Sequence, residues 1–287
     1  MTTGITETEL TGAWEGFVAE PARGGAAAGV LVLSGSSGRI ERDRCRLFAR
    51  AGVTAVSVRW FGGPGQPPGI CEVPLETFAA ATELLRERGA QRVSVLGTSK
   101  SAEGALLLAA LSRCVDAVIA LAPSAVVWAN VGPGSDGQER PYRSCWSWQG
   151  RPLPFVPYES SWTQAEPAGE LVSVLGWYEA SLAEYPDLAL AAAVPAERAE
   201  AELVLVAGGA DRMWPSLPFA QQLAARCTAA GRSATLITDP DAGHRTVFPT
   251  EVPPPPSTVF DHGGTPGADA RLGATAWPQV LAAVRGA

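Results

Sequence analysis

Several patterns that would mark common protein classes are missing from this chain of 287 residues. No stretch reaches 18 uninterrupted apolar residues, so the sequence predicts no membrane span. Charged residues make up only 18% of the chain, and the formal net charge is −7. An acidic chain of this kind argues against an electrostatic nucleic-acid binder. It does not exclude an anionic substrate held by a local arginine cluster.

Lysine and histidine are nearly absent. Lys100 is the only lysine, and the two histidines are His244 and His262. The sequence contains no H-E-x-x-H motif and no clustered cysteine and histidine spacing, so we expect neither a metal site nor a cofactor. The glycine-rich segment Ser34–Gly38 lacks both the dinucleotide-binding and the Walker spacing. We therefore do not expect it to bind phosphate.

The cysteines show no pairing pattern. There are five, none in C-x-x-C spacing, and the odd count favours reduced thiols in the cytoplasm. The first ten residues, MTTGITETEL, have neither a basic start nor an apolar run. We therefore expect no secretory signal peptide.

Short apolar runs alternate with longer helical patterns, which is typical of βαβ units and a parallel sheet. Several of the runs are continuously hydrophobic, as in strands buried on both faces. The predicted strands are Trp14–Ala19, Val30–Ser34, Thr54–Trp60, Arg92–Gly97, Ala117–Ala122, Glu202–Ala207 and Ala234–Thr238. The predicted helices between them are Ile40–Ala51, Leu75–Arg88, Ser101–Ser112, Leu217–Ala230 and Ala270–Arg285.

The alternation breaks between about residues 123 and 201, a segment that we call the excursion. It holds five of the nine tryptophans. Val131–Pro157 is predicted to be an irregular loop, and Glu170–Ala193 one or two helices. We expect one domain over residues 1–287, with the excursion lying over the active site like a cap. The alternative is a surface insertion with aromatic anchors.

Ser99 lies where a predicted buried strand meets a small, apolar helix, in Gly97-Thr-Ser-Lys-Ser. A sharp strand-to-helix turn holds a serine with its hydroxyl above the sheet, and the helix N-terminus favours negative charge there. The usual motif is G-x-S-x-G, and Ser101 replaces its last glycine. Ser99 is therefore the candidate nucleophile because of its context rather than the motif alone.

A serine nucleophile needs a base and an acid that orients it. His244 follows the last predicted strand, where the α/β-hydrolase fold places its base, in the chain order serine, aspartate, histidine. Asp211 is the only carboxylate in the turn after the strand that ends at Ala207. We predict the triad Ser99, Asp211 and His244. His262 lies among turn residues and is a candidate for a loop or substrate contact.

The oxyanion hole is expected to combine two backbone N–H groups. One belongs to Lys100, which follows the nucleophile, and the other to the loop Ser34–Gly38, with Ser36 preferred and Ser37 next. The excursion could supply apolar walls for an acyl chain. The candidate substrate contacts are Ser37, Phe61, Trp128, Trp214 and His262.

A series of short motifs runs through most of the chain. They are Gly29-Val-Leu-Val-Leu-Ser-Gly-Ser-Ser-Gly, Phe61-Gly-Gly-Pro-Gly, Val73-Pro-Leu-Glu, Gly97-Thr-Ser-Lys-Ser-Ala-Glu, Ala120-Leu-Ala-Pro-Ser, Gly150-Arg-Pro-Leu-Pro, Asp211-Arg-Met-Trp-Pro-Ser, Ala242-Gly-His-Arg, Gly263-Gly-Thr-Pro and Trp277-Pro. In this order they resemble the C-terminal catalytic domain of the acyl-CoA thioesterase and bile acid-CoA:amino acid N-acyltransferase family. Single-domain relatives are also similar to dienelactone hydrolases.

The resemblance implies an α/β-hydrolase fold, with a mostly parallel central sheet flanked by helices. It maps the family's nucleophile, acid and base onto Ser99, Asp211 and His244. Some members use cysteine as the nucleophile, whereas this chain has Ser99. Eukaryotic relatives carry an additional N-terminal β-sandwich domain, which we expect to be absent because the first predicted core strand already begins at Val30.

The first hypothesis is a cytoplasmic thioesterase or acyltransferase that forms an acyl-serine intermediate. Its substrate would be acyl-CoA or an acyl group on a carrier protein, and neither nucleic acid nor membrane is an expected partner. The second hypothesis is a carboxylesterase, lactonase or cyclase acting on a small metabolite. The third is a catalytically silent α/β-hydrolase that binds a ligand or partner, and the retention of all three triad residues argues against it.

Overall fold

The computed structural model describes residues 4–22 and 27–287. The prediction of no signal peptide concerns the first ten residues, of which residues 1–3 lie outside the described residues. Within the described ranges, no helix combines the length and the apolar character needed to cross a membrane.

The described strands and helices alternate along most of the chain. The strands are β1 (Ile5–Leu10), β2 (Gly16–Pro21), β3 (Ala28–Leu33), β4 (Thr54–Val58), β5 (Val73–Pro74), β6 (Arg92–Thr98), β7 (Ala117–Leu121), β8 (Trp146–Trp148), β9 (Arg151–Pro152), β10 (Glu202–Gly208) and β11 (Ala234–Asp239). The helices are α1 (Arg42–Arg50), α2 (Glu76–Arg86), α3 (Lys100–Leu111), α4 (Leu175–Glu184), α5 (Pro186–Ala191), α6 (Ser216–Ala229) and α7 (Pro266–Arg285).

Eight strands form one central sheet in the order β1-β2-β4-β3-β6-β7-β10-β11. All neighbours from β4 to β11 pair in parallel, and β2 alone runs in the opposite direction, antiparallel to both β1 and β4. The predicted mostly parallel sheet with flanking helices is confirmed. Parallel strands present their carboxyl ends at one edge of the sheet, and ligands in open α/β sheets bind outside that edge.

The core lies in two layers, one on each face of the sheet. Along β3, Leu31 and Leu33 belong to the layer that contains α2, α3 and α6, whereas Val30 and Val32 belong to the layer that contains α1 and α7. A strand whose side chains alternate between two apolar layers must be hydrophobic at every position. This requirement explains the continuous apolar runs in the sequence.

Strand β1 was not predicted, because its sequence, ITETEL, lacks an apolar run. It is an edge strand that pairs with β2 and leaves most of its side chains exposed. Two of its glutamates form bidentate contacts with α1, Glu7 with Arg46 and Glu9 with Arg42, at 2.8–2.9 Å. Charged edge strands of this kind resist pairing with other chains.

The excursion is more ordered than its sequence predicts. The predicted loop Val131–Pro157 contains β8 and β9, which form a small sheet with β5, so the expectation of irregular structure throughout was wrong there. Strands of two or three residues produce no periodic signal, which is why they were missed. The two helices α4 and α5 lie within the predicted range Glu170–Ala193.

Helix α7 begins at Pro266, four residues before the predicted start at Ala270. Thr265 is its N-cap, and the threonine hydroxyl accepts a hydrogen bond from the Ala268 amide at 3.2 Å. Proline at the first helical position after a threonine cap is a helix-start signal. That signal lies in the Gly263-Gly-Thr-Pro motif, upstream of the predicted helix start.

We predict that Gly273→Ala destabilises the protein although alanine is the better helix former. A Cβ on Gly273 would lie 1.8 Å from the Val247 carbonyl oxygen in the loop that follows His244. Relieving such an overlap by backbone shifts costs about 1–3 kcal/mol. The free energy of unfolding, measured by chemical denaturation, should fall by that amount.

The matched control for this change is Gly267→Ala in the same helix. Nothing lies within 4 Å of a Cβ on Gly267. The free energy of unfolding should therefore stay constant or rise by up to about 1 kcal/mol. Equal effects of the two substitutions would contradict the close packing of α7 on the His244 loop.

Candidate active site

The turn between β6 and α3 holds Ser99 in a strained backbone conformation, with φ 58° and ψ −118°. A non-glycine residue in such a region costs about 1–3 kcal/mol and persists only where its surroundings enforce it. The Ser99 amide donates a hydrogen bond to the Leu121 carbonyl at the end of β7, at 2.9 Å. Ser99 is half-buried, at the edge of the sheet where the parallel strands end.

Gly97 and Ser101 explain how a G-x-S-x-S sequence forms this turn. A Cβ on Gly97 would lie 2.4 Å from the Ser101 carbonyl oxygen, so a larger residue does not fit. The Ser101 hydroxyl accepts a hydrogen bond from the Thr98 amide at 2.8 Å and donates to the Leu33 carbonyl at 3.0 Å. The serine that departs from the usual motif therefore ties the turn to β3.

The loop after β3 passes directly beside Ser99. A Cβ on Gly35 would lie 3.1 Å from the Ser99 Cβ and 3.0 Å from the Thr98 carbonyl oxygen. Lys100 is the first residue of α3, so its N–H group has no acceptor within the helix. Ser36 follows Gly35 and is exposed. The two amides predicted for the oxyanion hole thus come from segments that meet at Ser99, and their role stays a prediction.

Asp211 and His244 lie side by side after β10 and β11. The Asp211 Oδ2 atom is 2.7 Å from the His244 Nδ1 atom. The other carboxylate oxygen accepts hydrogen bonds from the amides of Met213 at 2.7 Å and Trp214 at 3.3 Å. A carboxylate oxygen can only accept, so Nδ1 carries the proton and Nε2 is left free as a base. Both side chains are nearly buried, with relative exposures of 5% and 7%.

The chain segments that carry Asp211 and His244 pack so closely together that no side chain fits between them. A Cβ on Gly208 would lie 2.2 Å from the Ala242 carbonyl oxygen, and one on Gly243 would lie 2.3 Å from the Gly263 carbonyl oxygen. The Gly243 amide also donates to Asp269 Oδ1 at 2.8 Å. Glycines around the two residues thus fix the separation between the strand ends.

A buried ion pair links α1 to both sides of the site. Arg44 contacts Glu251 at 2.7 Å, the Thr98 hydroxyl at 3.3 Å and the Thr246 carbonyl at 3.2 Å. Thr98 precedes Ser99, and Thr246 follows His244 by two residues. One guanidinium therefore holds the nucleophile turn and the histidine loop together. The sequence gives no sign of this pair, because its members are 207 residues apart.

His262 lies beside the base rather than on a separate loop. Its carbonyl accepts the His244 amide hydrogen bond at 2.8 Å, and the two ring centroids are 6.0 Å apart. Burial, the positive charge of Arg245 and the neighbouring His244 lower the pKa of His262 to about 4. The ring is therefore neutral at pH 7, with Nδ1 3.1 Å from the Phe260 carbonyl.

The remaining candidate substrate contacts fall into two groups. Ser37 is exposed, and Phe61 is half-buried against Gly38, both next to the oxyanion loop. Trp128 and Trp214 are fully enclosed instead. Their rings pack around the Lys100 side chain, with centroids 5.9 and 5.5 Å from Nζ. The structure therefore differs from the prediction for these two residues, because neither ring offers an open surface to a substrate.

Two surface cavities lie in or beside the excursion. The first, of about 530 Å³, is lined by Trp60, Gln66, Glu72, Asp136 and Arg143 among others. The second, of about 480 Å³, is lined by apolar groups that include Leu153, Phe155 and Leu188. Neither is lined by Ser99, Asp211 or His244. Over residues 4–22 and 27–287, no three His, Cys, Asp or Glu side chains converge on a point where they could hold a metal ion.

Comparison with known proteins identifies relatives over most of the chain. A family model described as BAAT / acyl-CoA thioester hydrolase C terminal matches residues 73–285. Acyl-coenzyme A thioesterase 6 of Mus musculus is 25% identical over 263 residues, which are 88% of this chain and 58% of that protein. The chain thus spans a little over half the length of this curated relative.

Solved structures with the same fold are more distant in sequence. A Klebsiella pneumoniae protein assigned as a dienelactone hydrolase superposes with a TM-score of 0.55 at 14% identity, covering 97% of this chain and 98% of its own. A thermophilic carboxylesterase from a metagenomic library gives a TM-score of 0.51 at 15% identity, covering 99% and 88%. At such identities the likeness concerns the fold alone, and it confirms the α/β-hydrolase fold.

We predict that His262 titrates near pH 4, well below an ordinary histidine. Because the folded-state pKa lies below the unfolded value of about 6.5, the unfolded chain takes up this proton first. Stability from this group is therefore complete above about pH 6.5 and falls as the pH drops towards 4. NMR titration of the imidazole C–H signals can measure it directly, since the chain has only two histidines.

Arg245→Gln provides the control for this titration. It removes the positive charge that lies 3.5 Å from His262 Nε2, so the titration midpoint should rise while burial keeps it below 6.5. A His262→Asn variant assigns the signals. A midpoint near 6.5 in the unmodified protein would contradict the buried, cation-facing position of this ring.

Proposed function

Because the chain belongs to the BAAT / acyl-CoA thioester hydrolase C-terminal family, we propose that it hydrolyses or transfers acyl groups from thioesters through an acyl-serine intermediate. The observation that carries the proposal is the Asp211–His244 contact of 2.7 Å at the same sheet edge as the strained Ser99 turn. The proposed substrate is acyl-CoA or an acyl group on a carrier protein. Five free cysteines suit a reducing, cytoplasmic location.

The proposed reaction begins with attack of Ser99 Oγ on the carbonyl carbon. The hydroxyl proton passes to His244 Nε2, and Asp211 stabilises the imidazolium through Nδ1–H. The carbonyl oxygen becomes an oxyanion facing the amides of Lys100 and Ser36. Collapse of this intermediate breaks the carbon–sulfur bond, and the departing thiolate takes the proton from the imidazolium.

The second half of the reaction determines the product. If water attacks the acyl carbon, His244 removes its proton; the bond between that carbon and Ser99 Oγ then breaks, Oγ takes the proton back from His244, and the product is a free carboxylic acid. If an amine or alcohol attacks, the product is an amide or an ester. The chemistry at Ser99 is the same for both outcomes. The choice between water and another acceptor therefore depends on which molecule the space above the Ser99 turn admits.

We predict that a fluorophosphonate probe labels Ser99. The probe phosphonylates serines activated by a base, so the native protein should be labelled and Ser99→Ala should not. Ser112→Ala is the matched control, because its hydroxyl caps the far end of α3 by bonding to the Leu108 carbonyl. Acyl turnover by Ser99→Ala should fall by a factor on the order of 10⁶. Unlabelled native protein would remove the basis for the proposed triad.

A substrate panel distinguishes thioester from ester chemistry. We expect turnover of acyl-CoA or acyl-carrier thioesters to exceed that of p-nitrophenyl esters of the same acyl chain, measured as kcat/KM. Each reaction is run with and without an amine acceptor, and mass spectrometry identifies acid or amide as the product. Turnover of simple esters with none of thioesters would favour a carboxylesterase instead.

A further inference from the structure

Lys100, the only lysine of the chain, has its ammonium group enclosed by aromatic rings. The side chain is 2% exposed. Nζ lies 5.5–6.0 Å from four ring centroids, those of Trp128, Tyr158, Tyr178 and Trp214. Three of these rings belong to the excursion, and the fourth belongs to the turn after β10. Cation–π attraction at such distances is strongest where water is excluded.

The counter-ion of Lys100 is Glu103, one helical turn along α3. Glu103 is fully buried, and its Oε2 atom lies 3.5 Å from Lys100 Nζ. The Oε1 atom accepts hydrogen bonds from the Trp128 amide at 3.1 Å and the Trp146 indole at 2.9 Å. Within the described part of the chain, neither Oε2 nor Nζ has a hydrogen-bond partner. The Lys100 ammonium at 3.5 Å is what favours the carboxylate form of Glu103 against the effect of burial.

The groups that surround this ion pair are neutral at pH 7. Burial raises the pKa of Cys145 to about 12 and raises that of Tyr158 well above its usual value. Burial is the largest influence on both members of the pair: it acts to lower the pKa of Lys100 and raises that of Glu103, and the attraction between the two charges opposes it in each case. Lys100 and Glu103 are thus the positive and the negative charge within the aromatic enclosure.

The ion pair is oriented with its positive end towards the candidate active site. Lys100 Nζ lies over Trp214, whose ring is in edge contact with the His244 ring at 5.9 Å between centroids. Glu103 is bonded instead to the excursion, through the Trp128 amide and the Trp146 indole. The N-terminal end of α3 also begins at Lys100, so the helix dipole points its positive end the same way.

We propose that Lys100 and Glu103 are a positioning ion pair. The oriented dipole of this pair stabilises the negative charge that develops on the substrate carbonyl oxygen when Ser99 attacks. This inference rests on the proposed function. Burying two charges costs several kcal/mol per ion, and well-packed apolar residues often serve stability as well or better. Fixed dipoles aimed at developing charge need no reorganisation during the reaction. The aromatic enclosure keeps water from screening the pair.

Other charged groups near the base act at the same time and remain unchanged in the test. Asp211 faces Nδ1 of His244, and the ring of His262 lies on another side. The other charged groups of the surrounding loops and of α1 and α7 include Arg44, Arg245, Glu251 and Asp269, the ion pair of Arg212 with Asp261, and Arg271 with Asp239 and Asp241.

The test is the double variant Lys100→Met with Glu103→Gln. Methionine suits the aromatic enclosure, and glutamine keeps the Oε1 acceptor for the Trp128 amide and the Trp146 indole. The double variant is therefore expected to fold, with a thermal unfolding midpoint below that of the native protein because the glutamine NH2 has no acceptor at the Oε2 position. Its rate of fluorophosphonate labelling should fall about tenfold, less than the roughly 10²–10³ loss on removal of a direct oxyanion donor.

The pH dependence of labelling separates this role from a merely structural one. Removing a positive charge on the His244 side makes protonation of the base easier. The acidic limb of the labelling-rate profile should therefore move to higher pH in the double variant. The matched control is Arg226→Met with Glu197→Gln, which removes an ion pair between α6 and the short helical turn at Ala196–Arg198. This pair involves none of Ser99, Asp211 and His244, and its loss should change neither rate nor profile.

The outcomes are distinct. Native protein that does not label overturns the proposed function. Native protein that labels, with a folded double variant of native rate and profile, overturns the positioning role alone. If the double variant does not fold, Lys100→Met alone gives the same test with the same expectations, because a buried carboxyl that has lost its lysine takes up a proton.

Discussion

The backbone at Ser99 takes a conformation that side-chain-bearing residues rarely adopt, and the surrounding structure is arranged to hold it there. Gly97 leaves room where any Cβ would clash, Gly35 passes so close that a Cβ would be tightly packed against the turn, and Ser101 ties the turn to β3. On the other side, the Ser99 amide is fixed to the end of β7. Contacts with three adjacent parallel strands, β3, β6 and β7, therefore hold the strained turn in place. These strands meet the turn at the carboxyl edge of the sheet.

The same edge explains why the site draws on residues far apart in the chain. Arg44 reaches from α1 to the segments that carry Ser99 and His244, and Glu251 balances its charge. The Asp211 carboxylate uses both oxygens, one for the histidine and one for the amides of its own turn. The side chains of Asp211 and His244 and the backbone of Ser99 are thus held by a second layer of contacts, which restricts the motion of these segments.

Sequence patterns predict what depends on local spacing and fail where long-range contacts decide. The buried strands were predictable because both faces must be apolar, and the positions of Ser99, Asp211 and His244 followed from strand ends. Strand β1 was missed because it is held by backbone pairing with β2 and by Ile5 and Leu10 at the margins of the core, not by a continuous apolar run. Lys100 and Glu103 stand three residues apart on a predicted helix. Their neighbouring sequence does not indicate that aromatic residues of the excursion enclose them, because those contacts are distant in the chain.

The enclosure of Lys100 also restricts how the excursion can behave. Trp128, Tyr158 and Tyr178 form three of the four aromatic walls around its ammonium group. Moving the excursion away from α3 would hydrate this group and break the hydrogen bonds of Glu103 to Trp128 and Trp146. The excursion and the segment that carries Ser99 and Lys100 are therefore expected to move together. The exposed groups beside Ser99 lie instead in the loop that carries Ser36 and Ser37, and a substrate reaching Ser99 from that side leaves the ion pair dry.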